Sequence, residues 1–295
     1  MLTMTDSGCV FDFVGDVWSN ILQVHGKSDA AAYPVALSIA KTLGMIHARC
    51  GIPKPTFDVD LNLGNGSLGG FSSAKWSLMV GLDPLDKLQN SFKKKKFLSK
   101  VNAFAELAIT FYHEGRHCEQ SWLILRHLAN KYITNPNTLV AACTNTAIKV
   151  DKTWKPTDAK FLQACAEYLS YYNAVPLDIC QKAVSQPLAL LVTDPLRTKI
   201  VAWHDAWFGY NLTESVRIVR DLGIHDEQMA LLMKSVSTDE ERAKSAEYQM
   251  AMAKYEVAML AYKNIAYEAD AFATEDLVKQ EFRAFRNIYK ASMKN

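Results

Sequence analysis

The chain has 295 residues, a formal net charge of +2, 49% hydrophobic and 22% charged side chains. That is enough apolar material for a sizeable core, in one large domain or two modest ones. The near balance of charge gives no strong field, so nothing in it argues for nucleic acid or an anionic membrane as a partner.

Other global features narrow the reading further. The lysine run 93–96, between Phe92 and Phe97, reads as a solvated helix start or loop, with a local anion or lipid contact as the other reading. Cysteines at 9, 50, 118, 143, 165 and 180 show no C-x-x-C spacing, so neither a thiolate zinc site nor a dithiol redox pair is expected. Buried free thiols in a reducing compartment are the simplest reading. Met1 to Val10 lack a basic region followed by an apolar block, and no apolar run approaches about 18 residues. A cytoplasmic location in the producing cell is expected, without a membrane span, and any export would use a route that needs no cleaved signal.

Along the chain, Ala30 to Cys50 has helical periodicity, with Val35, Ile39, Leu43 and Ile46 on one face. Gly51 to Pro55 breaks it. Phe57 to Leu63 alternates apolar and polar and reads as a half-buried strand. Gly64 to Gly70 reads as a turn or loop. Ala74 to Gly81 is a second strand, so that the two suggest a β-hairpin or meander ended by Asp83-Pro84. From Ser99 the chain reads as almost all helical. Lys100 to Tyr132 is one long apolar stretch, broken at Asn135-Pro136-Asn137, and Thr157 to Tyr172 is a further helix. Leu196 to Val219 alternates helix and turn signals around Gly209. Ser237-Thr238-Asp239-Glu240-Glu241 is a strong helix start, followed by helix to about Tyr262 and again to about Lys290. Core packing of these last two as an antiparallel pair is expected, with an interaction surface as the other reading. The expected fold class is α+β, predominantly α-helical, in a single domain 1–295: a small sheet about 55–82, a motif helix about 99–132 and a helical part 157–290.

The chemistry concentrates in His113-Glu114-Gly115-Arg116-His117. Histidines four apart on a helix share one face, about one turn apart, and can fill two positions of a tetrahedral zinc. Glu114 lies beside them, where it can take a proton from a zinc-bound water and pass it to a leaving amine. Zinc brings the pKa of that water toward about 7. The flanks, Phe104 to Tyr112 and Trp122 to Leu128, are apolar, as a buried helix requires. Two partly buried histidines bonded to carboxylates or backbone would also fit this string.

The longer string Tyr112 to Gln120 resembles the zinc helix of bacterial metallopeptidase-like domains associated with polymorphic toxins and secreted effectors, which read His-Glu-x-Arg-His-x-Glu-Gln. The resemblance covers nine residues. It implies a zincin-like fold, Zn2+ as cofactor, hydrolysis of a protein or peptide substrate, and an immunity or secretion-system partner. Gly115 stands in mid-helix, where it costs up to about 1 kcal/mol against Ala, so a close backbone or substrate contact is expected there.

No His lies five or six residues past His117, where Trp122 and Leu123 stand, so a carboxylate is expected as third ligand. Glu268-Ala269-Asp270 looks like the third-ligand helix of glutamate-type zincins. By that resemblance Glu268 binds zinc and Asp270 orients a histidine. Some related families carry the ligand four residues before the Asp, where Ala266 stands here. Glu268 and Asp270 could instead solvate a helix turn, and Glu167, on an apolar helix, is the runner-up ligand. Arg116 faces away from the metal by helical phase and is expected to pair with Glu119 or Asp270. His204 could line the cleft or pack between Trp203 and Trp207. Tyr210, Tyr262 and Tyr267 are candidate oxyanion donors. His25, His47, His127 and His225 show no spacing of interest. An edge strand at 75–81 beside the motif helix would suit an extended substrate. Three functions follow: a zinc peptidase, extending to a toxin delivered to another cell; a helical binding or scaffold protein with a degenerate motif; or a zinc hydrolase of a non-peptide substrate.

Overall fold

Two amphipathic helices, α1 (Ser7–Val24) and α2 (Ala32–Arg49), open the chain and pack on each other. The structure, a computed structural model, describes residues 1–24, 31–59, 68–94, 97–209, 211–236 and 238–292. The expected roles of His25, Tyr210, Ser237, and parts of the 57–63 strand, the 64–70 loop and the lysine run lie outside these residues. The first helix has no forecast above, yet its stripe of Cys9, Val10, Phe13, Val17 and Ile21 follows the helical period and is buried.

A small sheet follows, with strands β1 (Thr56–Val59), β2 (Gly69–Ser72) and β3 (Ser77–Val80) in the order β1-β3-β2. The expected hairpin or meander of the first and last strands is not formed. β1 runs parallel to β3, with Thr56 opposite Ser77, and β2 pairs antiparallel with β3 through the Ser73–Trp76 turn. The glycine-rich segment thus contributes a strand. It also puts β3 at the centre of the sheet rather than at the expected edge; Gly69 and Gly70 carry no side chains that would mark this strand in the sequence.

The rest is helical: α3 (Leu82–Phe92), α4 (Phe97–Thr134), α5 (Pro136–Cys143), α6 (Ala159–Asn173), α7 (Leu177–Ser185), α8 (Pro195–Trp207), α9 (Leu212–Ser235), α10 (Asp239–Lys244), α11 (Ala246–Lys263) and α12 (Ala266–Ser292). Asp83-Pro84 opens α3, since proline is tolerated in a first turn. Pro136 starts α5 for the same reason. The chain is therefore predominantly helical with a small three-stranded sheet. Among the described residues, no helix is long and apolar enough to cross a membrane. All six cysteines are buried free thiols.

Helix α4, 38 residues and about 57 Å long, is the axis of the fold. Helices α1, α2, α3, α6, α7, α8 and α12 and strand β2 all pack on it. Enclosure on all sides explains its all-round apolar sequence. Helix α12 turns Glu268, Ala271, Glu275, Val278 and Phe282 toward this core as one stripe, at three- and four-residue steps. Helix α11 lacks such a stripe. It lies against α9 rather than pairing fully with α12, and leaves Met250, Val257 and Leu260 exposed. Thr238 caps α10 through a capping box with Glu241.

Candidate metal centre

Every residue of α4 from Phe111 to Gln120 is buried except Glu114, which is partly buried and faces a cleft. One helical turn brings His113 Nε2 to 3.1 Å from His117 Nε2. Helix α12 adds Glu268, whose Oε2 stands 3.4 Å from His113 Nε2 and 3.3 Å from His117 Nε2. These three side chains, 7%, 6% and 4% exposed as residues, are the group that could hold a metal ion among the described residues. Among the described residues, Glu268 Oε2 has no hydrogen-bond partner. A buried carboxylate oxygen left in this state costs free energy that a cation would offset.

The imidazoles are aimed by two different groups. Gln120 donates its amide nitrogen to the Tyr267 carbonyl at 2.9 Å and to Asp270 Oδ2 at 3.1 Å. That fixes its amide oxygen as the end facing His117, where Nδ1–H donates to it at 2.8 Å. The Nε2 lone pair of His117 is therefore free to point at the metal position. His113 Nδ1 meets Glu275 Oε2 at 3.2 Å, an ion-pair contact without a well-aligned hydrogen bond. Tyr267 stacks on His117, with ring centroids 4.3 Å apart and planes 3° off parallel, and Phe272 closes edge-on over His113.

The site polarises its own groups. Burial opposes charge on His113, but the Glu268 and Glu275 carboxylates outweigh it and hold the imidazole up at about 10. Glu268 is driven well below the usual carboxylate range: burial works against this, and His117 and His113 prevail. Burial raises Glu114 despite the neighbouring histidines and the Phe71 backbone N–H of β2. Glu114 is thus a carboxylate with a raised proton affinity beside the metal position, which suits a general base.

The cleft in front of these groups encloses about 900 Å³. One wall is α4, with Ile109, Thr110, His113 and Glu114; the opposite wall comes from α9 and α11, with Val219, Leu222, Tyr255 and Met259. Tyr262 lines it too, and burial followed by the adjacent Glu268 keeps its hydroxyl protonated. Strand β2 can pass this close because Gly69 has no Cβ: one would sit 2.7 Å from Thr110 Cγ2 and 3.5 Å from Glu114 Cγ.

Several expected roles change. Asp270 does not touch a histidine. It binds Arg116 Nε at 2.7 Å, Lys199 and Gln120, so its influence on His117 passes through the Gln120 amide. Arg116 pairs with both expected partners, Asp270 and Glu119, and lies under the Trp203 ring. Tyr267 is no free oxyanion donor, because its hydroxyl donates to the His117 carbonyl at 3.0 Å. His204 packs with Tyr172 and Phe208 and does not line the cleft. Glu167 lies on α6, hydrogen-bonded to Gln163, and is outside the metal group. The backbone of Gly115 is closely approached by the Leu43 and His47 side chains of α2. Glu275 and Gln120 had no assigned role above. Glu275 was detectable as the residue seven positions past Glu268 on the same face; Gln120 was within the motif string.

No known family model, curated protein or solved structure matches the chain.

Proposed function

We propose that the protein is a zinc metallopeptidase of the glutamate type, with a zincin-like arrangement in which His113, His117 and Glu268 hold the metal and Glu114 is the general base. One observation carries this reading. A tetrahedral ion with bonds of about 2.0–2.2 Å places its ligand atoms roughly 3.3–3.6 Å apart. The three ligand atoms are 3.1, 3.3 and 3.4 Å apart, close to those edges. When bound, zinc supplies a Lewis acid and lowers the pKa of water toward about 7.

The chain's own residues supply the remainder. Glu114 takes the proton of the attacking water and carries it to the leaving nitrogen. Tyr262, kept protonated, donates to the oxygen that gains charge on the scissile carbonyl. The reading of a toxin or effector, with its immunity or secretion partner, rests on the nine-residue resemblance alone.

Digestion of a mixed peptide library tests the activity. Wild type is expected to cut peptides in the presence of zinc, and Glu114→Gln to lose at least about 100-fold in rate while keeping its metal. Cleavage of esters or amides other than peptides would move the assignment to a different zinc hydrolase. Equal peptide cleavage by Glu114→Gln would remove Glu114 from the base role.

A further inference from the structure

We infer that Glu275 is the positioning carboxylate of the metal centre, holding His113 by Nδ1 so that Nε2 faces the metal. The inference rests on the metal site proposed above. Glu275 Oε2 lies 3.2 Å from His113 Nδ1, and that nitrogen has no other polar partner among the described residues. An ionised carboxylate only accepts hydrogen bonds, so the facing nitrogen must carry the proton. In the neutral imidazole that a metal would bind, the lone pair is then on Nε2, on the side of Glu268 and His117.

Glu275 is itself held in place. Its other oxygen, Oε1, lies 2.5 Å from Lys279 Nζ, one turn further along α12. The lysine pairs with Oε1 and leaves Oε2 directed at the imidazole. Glu268 and Glu275 are two turns apart on one face of α12, so they meet the same histidine on opposite ring nitrogens. Helix α12 therefore supplies both a ligand and the group that aims a ligand from α4. His117 is aimed differently, through the neutral amide of Gln120 on its own helix. The two histidines are not equivalent: one has a carboxylate behind it, which raises its basicity as a ligand, and the other an amide.

The test is zinc affinity, measured by competition with a chromophoric chelator on the full chain. Glu275→Ala is expected to weaken binding about 10- to 100-fold. Glu275→Gln, which retains an acceptor oxygen, should lose less, and Glu275→Asp should recover part of the loss. Asp276→Asn serves as the control: Asp276 also reaches Lys279 but is exposed and makes no contact with His113, so affinity should not change. The variants should melt close to wild type without metal. Wild-type zinc binding with an unchanged dissociation constant in Glu275→Ala and Glu275→Gln would overturn the inference and leave the metal site standing. A wild type that takes up no zinc would overturn both. Should the alanine variant fail to fold, the Gln and Asp variants decide the matter.

Discussion

His47 Nε2 lies 3.1 Å from the carbonyl oxygen of Gly115, in the middle of the motif helix. Helix α2 comes this close only because residue 115 has no side chain: a Cβ there would stand 2.8 and 2.9 Å from the two Leu43 methyls and 3.1 Å from His47 Nε2. Gly115→Ala should therefore destabilise the protein by about 1–3 kcal/mol through overpacking, less up to about 1 kcal/mol regained in helix propensity. Urea denaturation measures it. Leu43→Ala in the same chain should recover part of the loss, as a double-mutant cycle would reveal. A Gly115→Ala protein more stable than wild type would contradict the packing described.

His47 also predicts a pH dependence. It is fully buried, and desolvation outweighs the Gly115 hydrogen bond to lower it to about 4 from 6.5. Between these values the unfolded chain binds a proton that the folded chain refuses. Stability is thus fully present above about pH 6.5 and declines as pH falls toward 4, by about 3 kcal/mol in all. In His47→Gln the same pH interval should show a shallower decline. Identical pH profiles of stability for the two proteins would contradict it.

Glu119 anchors the start of the chain. Its carboxylate accepts from the Met4 backbone N–H at 3.2 and 3.1 Å and pairs with Arg116, while Tyr112 donates to the Met4 carbonyl at 2.7 Å. Glu119→Ala leaves a buried guanidinium with one carboxylate fewer and should cost about 3–5 kcal/mol. Hydrogen exchange should report a faster Met4 amide, and chemical denaturation the loss of stability. A loss below about 1 kcal/mol with unchanged exchange would remove this role.

Gln120 should matter to the metal as well as to the fold, since its buried amide also bonds the Tyr267 carbonyl and Asp270. In Gln120→Ala, His117 Nδ1 loses its 2.8 Å partner and with it a defined tautomer. Zinc affinity is expected to fall about 10- to 100-fold. Chelator competition measures this, and an unchanged affinity would mean that the amide does not aim the ring.

Much of this arrangement is visible in the sequence, for physical reasons that differ by residue. His113 and His117 are adjacent because four residues make about one helical turn, which needs no tertiary information. Arg116 must face the other way by the same phase, and it does meet Glu119 and Asp270. Glu268 is brought to the histidines by the packing of α12 on α4; no local rule gives that distance, and the segment's resemblance to known ligand helices was the only signal. Glu275 shares a helical face with Glu268, which its seven-residue spacing shows, but its approach to His113 depends on how α12 packs on α4. Gln120 looks like any polar residue after a histidine until Tyr267 and Asp270 are placed beside it. The sheet is the clearest divergence. The strand readings at 57–63 and 74–81 overlap β1 and β3, but whether they run parallel depends on where a glycine-rich strand inserts, and glycine carries no hydrophobic pattern.

The most direct test of the central claim is the zinc content and affinity of the purified chain. One zinc per protein is expected in wild type, none in His113→Ala/His117→Ala, and a strongly weakened site in Glu268→Ala. A wild type that stays metal-free in the presence of zinc, or a Glu268→Ala protein that binds zinc as tightly as wild type, would contradict the proposed centre.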